Sequence, residues 1–350
     1  MRAALYALLA GLELRIDGYR VETRSLDVST GFTRLTTTIL LEGEGARGEG
    51  EDVAYDAEDH DRYPYPLPLD GRWTVDEFSR HLDGVDLFPK SPVRETSADY
   101  RRWAFESAAL DLALRQAGIN LGDALGREYR PVRFVVSTRL DPMRWLAIDP
   151  TLEFKLDPEP EWTRSRMREL AATDRVRVLD FKGYYSGTPV DLDPDPDLYR
   201  QVAEAFPEAI LEDPAWNDRT AAALAGHEGR LAWDAPVHSA ADLDELPLSP
   251  RFLNVKPSRF GTLRRLLECL EVCRDRGIIC YGGGQFELGP ARGQIQALAS
   301  LFYPDAPNDV APRGYNAPEP VAGLSASPLA PTRPPMGFAF LQSPDTSSAA

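Results

Sequence analysis

A closed parallel α/β barrel with a separate α+β unit in front of it is the fold class this sequence predicts. Three observations predict it. From residue 132 onward, short apolar runs alternate with amphipathic stretches of helical length, the pattern of a parallel sheet covered by helices. Seven or eight such units follow one another, which favours closure over an open sheet. Before residue 125 the texture differs: turn-rich alternating segments lead into a strongly apolar helix.

Each element has its own signal. Residues 3–12 are apolar after Arg2 and look like a weak secretory leader, but they lack a clear small-residue cleavage site and run directly into Glu13 and Arg15; they read as structural. RIDGYRVETRSLDV, TRLTTTILLEGEG and ARGEGEDVAY read as an antiparallel meander with glycine turns. After the proline-rich RYPYPLPLDG, helices are predicted over 74–82 and 97–117. In the second, Trp103, Ala104, Ser107, Ala108, Leu110, Leu112 and Leu114 form a broad apolar face and Gly118 stops it. Residues 1–125 thus read as an α+β capping domain. Barrel strands are predicted at 133–137, 152–156, 176–181, 209–212, 231–234, 252–256 and 278–281, with a last one near Asp309. Helices are predicted at 159–172, 197–205, 218–225, 262–276 and 291–301. The first crossover, LDPMRWLAIDP, offers only a short helix. The barrel spans 126–315. In the segment 316–350, rich in proline, alanine and serine, MGFAFLQ is expected to return to the cap as a strand and SPDTSSAA to be a disordered tail.

Composition narrows the class of function. Hydrophobic residues at 43% and charged residues at 27% describe ordinary globular material. A formal charge of −16 argues against nucleic acid or an anionic membrane surface as partner, and no stretch approaches transmembrane length. Cys269, Cys273 and Cys280 contain no CxxC spacing; the first two share one helical face and read as buried small hydrophobes. A reducing cytoplasm suits this usage.

The chemistry is carried by charged residues at strand ends. They are Lys155 in LEFKLD, Asp180 in VRVLDFKG, Glu212 in AILEDP, Asp234 in RLAWDAP and Lys256 in FLNVKP. The intervals 180→212, 212→234, 234→256 and 256→Glu287 are 32, 22, 22 and 31 residues, about one strand–helix unit each. In a barrel the C-terminal strand ends share one face, where active sites sit. Three carboxylates there suit a hard divalent cation, Mg²⁺ with Mn²⁺ as the alternative, which would stabilise an enediolate as a Lewis acid. A lysine base must be neutral, and a nearby cation and burial both lower its pKa. Two lysines facing one carbon would exchange a proton between its faces; alternatively, one deprotonates while the other holds the enolate. Each residue taken singly also has a plain reading as a cap, turn or solvated loop residue.

In these positions the chain resembles the enolase superfamily, specifically the muconate-lactonizing-enzyme subgroup. Lys155 matches the second lysine of that subgroup's KxK, Asp180, Glu212 and Asp234 match its metal ligands, and Lys256 in NVKPSRFG matches its sixth-strand lysine. YGGGQFELGPARGQ resembles the seventh-strand segment, with Glu287 at the acidic position. ESAALDLALRQAGINLGDALG resembles the helix leading from cap to barrel, and GEGARGEGED the cap meander. The resemblance implies a modified TIM barrel, (β/α)7β, under a capping domain, with bound Mg²⁺ and a small-molecule carboxylate substrate. Barrels of this kind often assemble as homo-oligomers. In STGFTR, Thr30, Phe32 and Arg34 align with the mobile cap loop, and Arg34 would pair with a substrate carboxylate; a plain strand-end arginine is the alternative. None of the four histidines falls where the mandelate-racemase subgroup places its base. Three positions depart from the pattern: Glu153 replaces the first KxK lysine, Lys182 stands where asparagine is usual, and Ala235 replaces an acidic residue. Three readings follow: a racemase, epimerase or cycloisomerase; a syn-dehydratase like o-succinylbenzoate synthase; and a catalytically silent relative kept for binding, in which the Lys182 ammonium takes the place of the cation.

Overall fold

Alternation at a two-residue period builds the cap. In the computed structural model, which describes residues 4–28, 32–61, 63, 66–185, 193–331 and 333–340, strands β2 (Gly18–Asp27), β3 (Thr33–Gly43) and β4 (Ala46–Asp52) form the expected antiparallel meander. Glu44 and Gly45, both at positive φ, make the two-residue turn between β3 and β4. Two further strands, β1 (Glu13–Ile16) and β5 (Gly71–Thr74), pair with each other. The helix Thr96–Gln116 lies across β4. It lies so close that a Cβ on Gly50 would sit 2.0 Å from the Ala104 carbonyl oxygen and one on Gly48 2.2 Å from that of Ala108. The glycines of GEGARGEGED are therefore a packing requirement. Thr30 and the SPDTSSAA tail lie outside the described residues.

The second half forms a parallel seven-stranded sheet in sequential order. Its strands are β6 (Val136–Ser137), β7 (Phe154–Leu156), β8 (Val176–Asp180), β9 (Ile210–Glu212), β10 (Leu231–Trp233), β11 (Phe252–Val255) and β12 (Ile279–Gly282). An eighth position closes it: Asn308 bridges Phe134 beside β6, and Asp309 bridges Gly283 beyond β12, both parallel. The predicted strand near Asp309 is this closing segment. Pleating sorts the side chains. Leu179, Leu211, Trp233, Leu253 and Val255 join the large outer core beneath the helices. Val178, Ile210, Ala232 and Tyr281 make a separate layer, the apolar floor of the barrel interior.

The crossover helices begin where local chemistry allows. Thr163, not Glu159, caps Arg164–Ala172 through its side chain, so the helix predicted from 159 starts at the first residue able to serve an exposed N–H. Between β10 and β11 the only regular element among the described residues is the short turn Ala241–Asp244. Thr262 caps Leu263–Arg276 by accepting from the Arg265 N–H at 3.2 Å, and Gly277 at φ 70° ends it. Thr262→Ala is expected to cost about 1 kcal/mol, measured as a shift in the urea midpoint at unchanged slope.

The C-terminal segment departs from expectation. Residues 337–340 do not extend the cap sheet. Gly337 makes one isolated bridge to Asn120, the Phe338 N–H donates to Asp111 at 2.6 Å, and the Phe338 ring meets Trp103 edge-on. The segment's backbone groups are spent elsewhere: the Gly337 N–H donates to the Ile119 carbonyl and the Phe340 N–H to that of Gly293, both at 2.9 Å. Cys269 and Cys273 are buried and all three cysteines are free. No helix among the described residues is long and apolar enough to cross a membrane.

Candidate active site

One pleat step above the apolar floor, the same inward positions turn from aliphatic to charged. Val178 is followed by Asp180, Ile210 by Glu212 and Ala232 by Asp234, while on the next strand the polar Asn254 is followed by Lys256. Asp180 and Glu212 are register partners. Glu212 pairs with Ala232, so Asp234 stands two residues farther along, roughly 7 Å higher by strand rise. Lys155 enters from β7 between Phe154 and Leu156, which face the outer core. All five predicted residues are buried.

Each carboxylate is met by a cation. The Lys155 ammonium lies 2.6 Å from Glu212 Oε1 and 3.1 Å from Asp180 Oδ2, with Asp309 at 3.7 Å. Glu212 also accepts from Tyr281 Oη at 2.6 Å and from Asn254 Nδ2 at 3.0 Å. On the far side the Lys256 ammonium donates to Asp234 Oδ2 at 2.7 Å. Arg259 Nη2 and Tyr185 Oη donate to the same oxygen at 3.2 and 3.1 Å. Arg259 Nε is 3.2 Å from Asp234 Oδ1, an ionic contact without hydrogen-bond alignment. Lys182 holds Asp180 twice: its N–H donates to Oδ1 at 3.1 Å and its ammonium to Oδ2. Asp213, at positive φ, turns its carboxyl to the Asp234 and Ala235 N–H groups at 2.7 and 2.9 Å and so fixes the chain at the end of β10.

Charge does not balance in this cluster. Among the described residues six carboxyl groups (Asp157, Asp180, Glu212, Asp213, Asp234, Asp309) meet five cationic groups (Arg139, Lys155, Lys182, Lys256, Arg259). With all ionised, 6 − 5 leaves one negative charge uncompensated. The carboxyls register the deficit unequally. Burial, with Asp180 and Asp234 nearby, pushes Glu212 up to about 7 against the pull of Lys155. Burial and Asp234 raise Asp213 well above its ordinary value, and burial raises Asp309. Asp180 resists burial because Lys182 and Lys155 hold it far below the usual range; Arg259 and Lys256 hold Asp234 at about 2. Burial acts to lower the Lys155 pKa, but Glu212, Asp180 and Asp309 outweigh it and the group stays charged well above the usual lysine range. At this lysine the three anions outweigh burial. Among the described residues, no three histidine, cysteine, aspartate or glutamate side chains stand close enough together to hold a metal ion.

Other predicted contacts are redistributed. Arg34 is fully buried, its guanidinium donating to the carbonyls of Ala54, Val53 and Gln285 at 2.5, 2.5 and 3.1 Å and packing on the Tyr55 ring. The three carbonyls take three of its five N–H groups, and the buried Nε has no partner. Glu287 is turned aside to Arg292 at 2.9 Å and to the Gln285 N–H at 2.6 Å. Phe32, half exposed, sets its ring edge-on to Phe286 at 5.9 Å, joining the cap to the loop beyond β12. Glu153 is clamped by Arg133 and Arg177, both at 2.6 Å; a register shift beside it leaves Arg177 as the extra residue of β8. The residues missed from sequence are Arg259, Tyr185, Tyr281, Asn254, Asp157 and Asp309. Asn254, two before Lys256 on one strand, carried a readable signal, as did Tyr281 in the barrel interior. Tyr185 and Arg259 sit on irregular segments and carried none.

Comparison with known proteins agrees with this architecture. Two family models match in tandem: "Domain of unknown function (DUF8230) N-terminal domain" over residues 7–124 and "Domain of unknown function (DUF8230) C-terminal domain" over 128–317. The chain is 25% identical over 252 residues to o-succinylbenzoate synthase of Bacillus subtilis, covering 67% of each chain. It is 27% identical over 342 residues to N-succinylamino acid racemase of Thermus thermophilus, covering 85% of this chain and 84% of that one. A solved dipeptide epimerase from Methylococcus capsulatus, complexed with Mg and the dipeptide L-Arg-D-Lys, superposes at TM-score 0.67 with 18% identity, over 94% of this chain and 100% of that one. Muconate lactonizing enzyme from Pseudomonas putida superposes at TM-score 0.60 with 16% identity, over 85% and 88%.

Proposed function

This chain belongs to the DUF8230 family and has the enolase-superfamily fold, and on that premise we infer that it is an enzyme removing the proton next to the carboxylate of a small-molecule substrate. The observation that carries the reading is the placement of two lysines. Lys155 and Lys256 come from β7 and β11, the second and sixth of eight barrel positions, which lie opposite each other in a closed barrel. Both ammonium groups reach one carboxylate cluster. A substrate carbon between them presents one face to each. Lys155, held charged by Glu212 and Asp180, is suited to donate a proton or to hold the developing enediolate; Lys256 is the base for the opposite face. Racemisation, epimerisation or cycloisomerisation uses both, and a syn-dehydration of the o-succinylbenzoate synthase kind uses one as base and the other as support.

A divalent cation fits the donor set by its chemistry. Asp180, Glu212 and Asp234 are hard oxygen donors on adjacent strand ends, and the Lys155 ammonium between Asp180 and Glu212 stands where a cation is called for; the three do not stand close enough to share an ion in this arrangement, so binding would have to draw them together. Those three residues would hold Mg²⁺, with Mn²⁺ as the alternative. When bound, it supplies Lewis-acid stabilisation of the charge developing on the substrate carboxylate. Phe32, beside Phe286, would cover the substrate from the cap.

Incubating the protein with Mg²⁺ in D₂O against a panel of N-succinylamino acids and dipeptides tests the reading. Loss of the α-proton signal by NMR is expected for at least one class. No exchange in any class, from protein that binds Mg²⁺, would overturn it. A second reading, a silent relative, is favoured by Lys182 on Asp180; a calorimetric Mg²⁺ titration without heat would support it.

A further inference from the structure

We propose that Lys182 is a built-in competitor for the divalent cation at Asp180, so that metal loads only when this ammonium withdraws. The proposal rests on the assignment of Asp180, Glu212 and Asp234 as cation ligands above. Its ground is how Lys182 is made to reach back. Two residues beyond Asp180, its backbone takes the left-handed conformation at φ 56°, unusual for a residue with a Cβ. That fold-back aims the Lys182 N–H at Asp180 Oδ1, 3.1 Å away, and returns the ammonium to Oδ2. One residue therefore occupies both oxygens of the carboxylate. Lys155 adds a second ammonium to Oδ2 at 3.1 Å.

The ammonium also has somewhere to go. Asp157 Oδ1 lies 3.5 Å from Lys182 Nζ, and the Tyr185 ring centroid lies 5.3 Å from it. Asp157 belongs to the loop after β7, outside the three-carboxylate set. An ammonium displaced from Asp180 keeps Asp157 as partner, so exchange moves it by a side-chain rotation rather than stripping it of every anion. Lys182 is 16% exposed at its side chain where Asp180 is 0%, which puts the competitor on the solvent side of the carboxylate it guards. A cation arriving from solvent meets Lys182 first.

Competition has a quantitative signature. If Asp180 is clear of Lys182 for one tenth of the time, apparent cation affinity falls about tenfold. Mn²⁺ binding, read from the free-ion electron paramagnetic resonance signal, measures this without any substrate. Lys182→Met removes the charge at similar length, and Lys182→Arg keeps it. The Met variant is expected to bind Mn²⁺ about tenfold tighter than the unaltered protein, and the Arg variant about as the unaltered protein does. Circular dichroism checks that both fold, and Lys182→Gln replaces the Met variant if that one does not. Equal affinities in all forms would overturn the competition and leave the cation site standing. Binding in none of them would overturn both.

Discussion

Lys256→Met is expected to slow α-proton exchange by about three orders of magnitude, within the range a positioned general base supplies, while leaving the fold intact. The second half of that statement comes from the partners left behind. Asp234 loses one donor of several, keeping Arg259 Nη2 at 3.2 Å and Tyr185 Oη at 3.1 Å on the same oxygen. No buried carboxylate is orphaned. Lys155→Met is different, because that ammonium serves Glu212 and Asp180 together. Glu212 retains Tyr281 and Asn254, and Asp180 retains Lys182, but both lose an ion pair in a region already short of positive charge. This variant should lose activity and stability together. Exchange measured separately for each enantiomer then sorts the chemistry. In a racemase each lysine governs one enantiomer. In a syn-dehydratase a single lysine governs all exchange, and the other variant slows product formation alone. Exchange undiminished in Lys256→Met would remove this lysine from the mechanism.

What the sequence makes legible follows from period and phase. Strand ends separated by about one strand–helix unit fall on one rim of a barrel, so Asp180, Glu212, Asp234 and Lys256 were readable, and Lys155 with them. The setting of Glu153 was not, because its partners Arg133 and Arg177 come from the neighbouring segments on either side. Nor was the charge state of Lys155. Burial acts on it as sequence reasoning expects, but the balance is set by which anions stand within 4 Å, and distance across strands is not written in spacing. Tyr185 and Arg259 reach Asp234 from irregular segments whose course depends on backbone turns such as the positive φ of Lys182 and Asp213. The burial of Arg34 was not legible for a related reason: an arginine at a strand end in a loop-like context is normally solvated, and only the tertiary closure of cap on barrel buries it.

Arg34→Met is expected to destabilise the protein by about 3 kcal/mol or more, since each of several buried carbonyls left without a donor costs roughly 1–3 kcal/mol. The three carbonyls belong to both halves of the chain: Ala54 and Val53 follow the cap meander, and Gln285 lies beyond the seventh barrel strand. One guanidinium thus ties cap to barrel beside the loop that carries Phe286. A second tie lies nearby, where Glu51 accepts from the N–H groups of Leu288, Gly289 and Ala291 at 2.7, 2.9 and 3.0 Å at the start of the helix Ala291–Phe302. That second tie is why the Arg34 variant should still fold. Arg34→Lys is no remedy, because a single ammonium cannot span three carbonyls held by a planar fork. The variant also separates the two roles considered for this residue. As a tie between domains, Arg34 lowers the urea midpoint when replaced and leaves KM of the folded fraction nearly unchanged. As a substrate ligand, it would raise KM tenfold or more at an unchanged midpoint, and that result would mean the cap opens far enough in solution to release Arg34 from all three carbonyls.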